Sequence, residues 1–544
     1  MFLLVTDVGL DASEGGRADR EGAVAVLPGE VTKANLGLRP RLTYLAPLGL
    51  ADHLEKGVEP RSTMRFPAAP KFHRCDIDTT SAGGEGLFRA DFETPRWGRS
   101  TMRKAKSKEE RTHRFLAKRA KKKEKGWDYS DSPDIRQPAN IKHSMDAILW
   151  ALELGLTANE PTLRQVEELT ENLGSWARTL VPKPVSDTTL DTESRRLDPD
   201  YLHRKLVLRV RDLYRSKMLA PVELPCGVVT LDGKNLATLD HDAAGTGHAR
   251  SKQNEKWHRG KGEEKKRGTD YYLMPALRAS LTSAQAKPCI YQLPLPPGVG
   301  ESTCFDQMLD GLTHAYGRSG MFEVVDGDAG LTSLANADAV NDRGFAYIFG
   351  LKGNQPELFA EANALLLPTA QAQQPELSTP WENRSGKLIR RNLWRTDEMQ
   401  GIENSVGRWT HLRQTWLVRQ ESLYSDGRIE TEDRYFITSL LKNDLIPSQI
   451  LLVVRNHWAI ENDVFNSLDL QWREDSAPWC TMGTAVWALG ILRIMAYNTA
   501  QILRRRRLRE KTPHGTKALP LSWRSLFKVI ERAFLIELAP APVA

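Results

Sequence analysis

Val453-Val454-Arg455-Asn456-His457-Trp458-Ala459-Ile460-Glu461-Asn462 is the stretch on which the fold turns. It reads as an apolar helix carrying one acid, Glu461, behind two earlier acidic positions. Asp232 closes Gly227-Val228-Val229-Thr230-Leu231-Asp232-Gly233-Lys234, a β-branched run that stops at an acid and a glycine. Asp328 sits in Phe322-Glu323-Val324-Val325-Asp326-Gly327-Asp328-Ala329-Gly330, which has the same form. Two strand-end acids and a glutamate on a later helix can hold two divalent cations in the geometry for in-line attack on a phosphodiester.

Each piece alone is weak. Asp-Gly is a common turn, so Asp232 by itself reads more readily as a turn than as a ligand. Asp326 lies two residues from Asp328, and strand alternation puts both on one face, so spacing does not separate them. The turn around Glu461 holds Val454, Trp458 and Phe465, where a carboxylate is costly unless paired or bound to metal. A Glu461–His457 or Glu461–Arg455 pair closing the helix is the plain alternative. The three acids together, in this order and on these elements, are far more specific than any one.

Around them the chain reads as α/β. Strands are expected at 227–231, 271–280, 289–293, 322–325 and 346–351, with helices over 305–316 and 333–342. Three strands, a helix, then alternating strand and helix is the order of an RNase H-like core. Asp328 and Glu461 are 133 positions apart, more than a strand–helix–strand return needs. The stretch 390–438 reads as strands, including 409–418 and 434–438 around a Ser425-Asp426-Gly427 turn, so a β-rich subdomain is expected to interrupt the core. The expected domains are a poorly ordered extension (1–75), a basic segment (76–139) and a helical region (140–220). Then come a first core part (225–365), a β-rich insertion (366–438), a second core part with the Glu461 helix (439–510) and a tail (511–544).

In the helical region Ile148, Leu149, Leu152 and Leu156 recur at helical spacing. Thr162 and Gln165 form a capping-box pattern, and Leu202, Leu206, Val210 and Leu213 mark a longer helix. Two short helices, a turn and a third are compatible with a helix-turn-helix DNA reader, and equally with plain packing.

The net charge of +7 is carried by one segment. Between Arg99 and Lys125 stand thirteen Lys/Arg, Arg103, Lys104, Lys121, Lys122 and Lys123 among them, and three Glu. This block is polar all round and suits a polyanion such as DNA, so it is expected to become helical against DNA. A second basic run, Arg250, Lys252, Lys256, Arg259, Lys261, Lys265, Lys266 and Arg267, crowds the loop between the first two strands. Trp409 and Trp416 lie in the inserted strands, where an indole can stack on a flipped base or simply pack. Arg504 to Arg507 and Arg509 follow the last core helix, which their charge suits through its dipole. Five scattered cysteines without a Cys-x-x-Cys pair argue against zinc and disulfides and fit a reducing cytoplasm. The start lacks a signal-peptide pattern. The apolar run 485–503 is interrupted by Arg493, Asn498 and Gln501, so it reads as a buried helix and no membrane is expected.

His457-Trp458-x-Ile460-Glu461-Asn462, followed by Leu468-Asp469-x-x-Trp472-x-Glu474-Asp475, resembles bacterial insertion-sequence DDE transposases. The closer likeness is to the branch whose core contains a β-strand insertion. Asp232-Gly233-Lys234, Asp328-Ala329, Leu351-Lys352-Gly353-Asn354-Gln355, Arg434-Tyr435-Phe436-Ile437-Thr438-Ser439-Leu440 and the upstream Val185-Ser186-Asp187-Thr188-Thr189-Leu190 add to it. The resemblance covers roughly residues 135–510. It implies an RNase H-like core interrupted by a β-rich insertion, with an N-terminal helical DNA-binding region. It implies Asp232, Asp328 and Glu461 as the metal triad, preferring Asp328 to Asp326 because an alanine follows. It further implies two Mg²⁺ ions, replaceable by Mn²⁺, double-stranded DNA (transposon ends and target) as substrate, and a homodimer on paired ends, with no nucleotide cofactor. Lys234, Arg455, His457, Trp458 and Asn462 would support the metals or touch DNA, with Lys256, Arg259 and Trp409 as further contacts. There is one departure. Related transposases outside this branch place a tyrosine and an arginine before the glutamate and a lysine after it, where this chain has Val454, His457 and Leu468; a neutral imidazole offers no guanidinium fork. The competing readings are a catalytically idle, transposase-derived DNA-binding protein and a small-substrate hydrolase with a carboxylate pair, such as a glycosidase. The basic blocks and the lack of an aromatic-rich sugar cleft argue against the second.

Overall fold

The structure, a computed structural model, describes residues 106–122, 125–239, 248–251, 270–296, 298–384, 386–476, 479–482, 484–511 and 518–536. The expected 1–75 extension, Arg103, Lys104, Lys123, Lys256 and Arg259 lie outside them.

The basic block contributes a helix to the body of the protein. In α1 (Lys108–Ala120) Ser107 caps the Glu110 N–H, and Glu109 and Glu110 precede Lys118 and Arg119 as the helix dipole favours. Phe115, His113 and Arg119 are buried. Arg119 and Lys122 are both held by Asp212, Lys122 at 2.8 Å, and Trp127 Nε1 donates to the same carboxylate. Residues 108–120 are therefore not polar all round as expected: the charges around them masked the Phe115–Leu116 side. Lys122 is engaged internally, and Lys121 is exposed.

Five helices follow: α2 (Met145–Ala158), α3 (Leu163–Glu171), α4 (Ser175–Arg178), α5 (Asp187–Ser194) and α6 (Pro199–Arg215). The Thr162 hydroxyl accepts from Gln165 N and donates to the Gln165 side chain, so only half of the expected box forms. Leu202, Leu206, Val210 and Leu213 of α6 are buried in the same hydrophobic core as the sheet. The helices α3 and α5 carry six acids against one arginine, a surface that repels a phosphate backbone. These helices pack on the core, as the plain-packing reading expects.

The sheet explains itself from β1 (Val228–Leu239). It pairs antiparallel with β3 (Asp270–Ser280), which also pairs with β2 (His248–Ser251) and β4 (Cys289–Pro294). On its other edge β1 pairs parallel with β5 (Val324–Gly327), and β5 with β6 (Ala346–Leu351). The helices α7 (Phe305–Tyr316) and α8 (Leu334–Asp342) stand where the sequence places them. Beyond α9 (Pro356–Ala372), the inserted strands β7 (Leu377–Ser378), β8 (Glu382–Arg384), β9 (Lys387–Thr396), β12 (Gln414–Leu423) and β13 (Ile429–Thr438) follow, with a small β10 (Glu403–Asn404) and β11 (Gly407–Arg408) hairpin. They do not form a separate subdomain. The run 435–438 of β13 pairs with β6, so the insertion continues the core sheet in the order β1-β5-β6-β13-β12-β9. The open edge of β6 offers unpaired backbone groups, and an antiparallel strand satisfies them. Residues 429–434 of β13 overhang β6 beside the strand ends.

The helix α10 (Pro447–His457) packs Ile450, Val453 and Val454 onto Val228, Val324, Ile348 and Trp416. A π-helical turn, Ile460–Phe465, leads into α11 (Asn466–Trp472). The helix α12 (Ala485–Ile502) is buried along its whole length; it is long and apolar enough to cross a membrane, yet it is the core helix on which α2 and α6 pack. The last helix, α13 (Trp523–Leu535), covers α1.

Arg278 of β3 and Glu474, just past α11, are both fully buried and joined by two hydrogen bonds of 2.7 Å. Removing one charge strands the other in a water-free interior. Glu474→Gln should lower stability by about 3–5 kcal/mol, read as a lower denaturant midpoint at unchanged slope; a loss under about 1 kcal/mol would show that the pair contributes little.

Candidate active site

Asp232 lies inside β1, because the strand runs through the Asp-Gly and on to Leu239. The expected turn does not form: Asp232 and Gly233 stay in register with Arg278 and Leu277 of β3. The Asp232 carboxylate accepts from Gly233 N at 2.8 Å. Burial, and then the charges of Glu461, Glu301 and Asp328, push it up to about 7. Asp232 thus stands within electrostatic reach of Glu461, Glu301 and Asp328.

Asp326 and Asp328, inseparable by spacing, part company in the structure. The strand β5 ends at Gly327, so alternation does not reach Asp328. Asp326 is buried and accepts from the Thr230 hydroxyl at 2.7 Å, with His457 Nδ1 at 2.9 Å. Asp328 is exposed, caps the following 3₁₀ turn through Leu331 N, and lies within electrostatic reach of Asp232.

Glu461 is exposed on the π turn and is not the buried helical acid expected. The wide turn buries Ile460, Val464 and Phe465 and turns Glu461 outward. Neither plain alternative pair forms. His457 faces Asp326, and Arg455 lies 3.5 Å from Glu382. Burial opposes the His457 imidazolium, but Asp326, with Asp232 and Asp328 behind it, outweighs burial and raises its pKa. Lys234 is bound to Asp469 at 2.6 Å and does not face outward for DNA. Asn462 Nδ2 donates to the Trp458 carbonyl at 2.9 Å.

Among the described residues no three acid, histidine or cysteine side chains close on one point as a finished metal shell would. The donor set still fits hard divalent cations: oxygen ligands only, partly desolvated, with repelling charges that a cation would draw together. Asp232, Asp328 and Glu461 are the residues that would hold it.

Beside the cleft is a cavity of about 510 Å³ lined by Lys287, Arg384, Arg391, Arg434, Arg455, Trp458 and Asn462. Arg434 lies over the Trp458 ring at 4.7 Å. The one acid in the lining, Asp463, is matched by Lys287 at 3.0 Å and Arg505 at 2.7 Å. Burial and then the neighbouring Arg384 and Arg455 lower the pKa of Arg391, which has no ion pair among the described residues. The inserted strands thus place positive charge next to the Glu461 turn.

Trp409 cannot stack on a base: it is 1 % exposed, packed in the core, and Trp416 is as deeply buried. The arginines after α12 tie elements together more than they cap the helix, Arg504 to the Leu521 carbonyl and Arg505 to Asp463. Sequence reading missed Glu301, which follows a Gly- and Pro-rich loop without periodicity, and Arg391, whose strand was recognised but not its facing.

A family model, the transposase DDE domain, matches residues 228–499, half of the chain. The match begins with β1, ends in α12, and spans all four carboxylates. No curated protein matches the chain.

The raised Asp232 value has a measurable consequence. The folded chain keeps a proton there that the unfolded chain, near 3.8, releases. That stabilisation is complete below about pH 4 and is lost as the pH rises through about 7. Asp232→Asn escapes the loss, so its melting temperature should overtake that of the unchanged protein over this range. The gap should reach the order of 1–3 kcal/mol after screening, and Mg²⁺ should narrow it above neutrality. A pH-independent gap would refute the raised Asp232 value.

Proposed function

The chain belongs to the DDE transposase family, and from that premise we propose that it binds the ends of its mobile element, cuts them free and joins them to target DNA. Its core is RNase H-like, and DNA is its substrate. The observation that supports the finer reading is that Asp232, inside the matched family domain, feels the charges of both Asp328 and Glu461, with a cationic cavity beside the Glu461 turn.

The chemistry follows from the placement. A water, and later a DNA 3′-hydroxyl, attacks phosphorus in line. The new P–O bond forms as the opposite P–O bond breaks, the leaving oxygen takes up a proton, and no protein residue is acylated or phosphorylated on the way. Two divalent cations, Mg²⁺ or Mn²⁺, supply charge neutralisation at the attacking and leaving oxygens. Asp232, fixed in the central sheet, and Asp328, fixed by its cap, form the rigid side of the cleft; Glu461 approaches from the π turn. Arg391, which has no ion pair among the described residues, holds a backbone phosphate of the strand that reaches Glu461, beside Arg434 and Arg384, which are paired with Glu432 and Glu382. A homodimer on paired ends, working in the bacterial cytoplasm, completes the proposal. The presence of all three family carboxylates favours an active enzyme over an idle metal site.

Purified protein with labelled DNA carrying the ends that flank its gene should cut those ends only with Mg²⁺ or Mn²⁺. Glu461→Gln, nearly isosteric, should lower cleavage by about a thousandfold or more while still binding the ends. Specific binding without cleavage by either protein would overturn the enzymatic reading. Arg391→Ala breaks no ion pair, so it should weaken DNA binding across sequences and reduce the salt slope by about one. An unchanged slope would take the cavity out of the DNA path.

A further inference from the structure

One face of the inserted sheet changes character along its length. Strand alternation and the pairing register put Leu393, Trp416, Val418 and Phe436 on that face, in one core with α10. Two residues before Leu393 on β9 the same face carries Arg391, with Gln420 opposite it on β12. Two residues before Phe436 on β13 it carries Arg434, opposite Val418. The register with β8 adds Glu382 and Arg384 to this face. Its polar end forms one wall of the cavity of about 510 Å³. Ala459, Asn462 and Asp463 form another, so the space borders the turn that carries Glu461.

The cations of this cavity are unevenly answered. Asp463 holds Lys287 at 3.0 Å, and Glu432 holds Arg434 at 2.8 Å. Arg384 and Arg455 share Glu382, at 3.4 and 3.5 Å. Arg391 has no ion pair and no side-chain hydrogen bond among the described residues, although burial and then Arg384 and Arg455 weigh against its charge. It stands near Glu382 and Arg455, since all three also line a neighbouring cavity of about 190 Å³. Three guanidiniums thus face a single carboxylate and leave two positive charges over. A backbone phosphodiester brings one negative charge. A terminal phosphate monoester brings nearly two at neutral pH, with a third acceptor oxygen for the guanidinium N–H groups.

We propose that this cavity is the receiving site for the 5′-terminal phosphate of a DNA strand, the group that strand cleavage creates. The inference rests on the transposase reading above and names the phosphate this site takes once a strand is cut. As the oxygen of a water bonds to phosphorus, the bond from phosphorus to the 3′ oxygen breaks, and that oxygen takes up a proton and leaves as a hydroxyl. The phosphate on the 5′ side keeps the oxygen of the water and, ionising a second time near about pH 6, gains most of one negative charge. Each cut therefore makes the ligand for which Arg391, Arg384 and Arg455 carry surplus charge. A held 5′ end keeps the severed strand in the complex after its covalent link is gone.

The test is equilibrium binding by the full-length protein in EDTA at fixed salt, so that no strand is cut. Duplexes from the flank of the element, ending at the cut position, carry a 5′-phosphate, a 5′-hydroxyl or a 3′-phosphate. The quantity read is the ratio of affinities, in which contacts common to the duplexes cancel. The unchanged protein should prefer the 5′-phosphate to the 5′-hydroxyl by about tenfold. Arg391→Gln should bring that ratio close to one. Glu382→Gln should raise it, because it removes the carboxylate that Arg384 and Arg455 share. Thermal melting checks that both variants are folded, and misfolding would not move the ratio in opposite directions. If the unchanged protein shows no preference, or Arg391→Gln weakens both duplexes equally, the cavity takes backbone phosphates only and the transposase reading stands. An equal preference for the 3′-phosphate would also overturn the inference, because this cleavage does not create that end. If no duplex binds, the inference falls together with the transposase reading.

Discussion

Glu461 is held where it is by ion pairs on either side of it, none of which it makes itself. Before it, His457 is tied to Asp326 at the end of β5. After it, Asp469 is tied to Lys234 on β1, and Glu474 to Arg278 on β3. Arg278 is the cross-strand partner of Asp232, and Lys234 lies two residues beyond it. The helical segment is thus fastened to the same three strands that carry or border the two aspartates. Breaking a buried pair of this kind costs about 3–5 kcal/mol, far more than a flexible exposed glutamate could supply for its own placement. Glu461 is left exposed, with no ion pair among the described residues, because its neighbours on the chain carry the anchoring.

This gives physical content to a motif first noticed only as a pattern. His457, Asp469 and Glu474 surround Glu461 in sequence, and in space each one fixes the segment to the sheet. The π turn fits the same account. With both flanks pinned, the extra width between Ile460 and Phe465 lets three apolar side chains stay buried while the acid turns out.

The alternation of helix and strand through the core was legible in the sequence, because β-branched runs such as Val324-Val325 and the capped starts at Ser144, Thr162 and Ser333 act locally. The misreadings arose where a distant partner decides. Asp232-Gly233 has the composition of a turn, yet pairing with β3 keeps it extended. The charges of α1 hid its Phe115 side, which matters only once α13 is there to cover it. Trp409 looks available in a list of inserted residues and is buried once β12 and β13 join the main sheet. Asp326 and Asp328 could not be told apart by period, because the strand ends between them.

The same reasoning bears on the positions where this chain departs from related transposases. Val454 and Leu468 are buried packing residues, and His457 turns inward to Asp326. No cation from the glutamate segment replaces the arginine and lysine found there elsewhere, apart from Arg455, which leans on Glu382. Positive charge arrives instead from the overhanging inserted strands, with Arg391 on β9 and Arg434 on β13, and from Lys287 between β3 and β4. An overhang is suited to this. Strands that pair with the core over only part of their length leave the remainder free to form one wall of a cavity, and the guanidinium groups on that wall are aimed by the sheet itself. The insertion therefore does two physical jobs at once: it closes the open edge of β6, and it brings cations to a glutamate whose own helix is committed to holding it still.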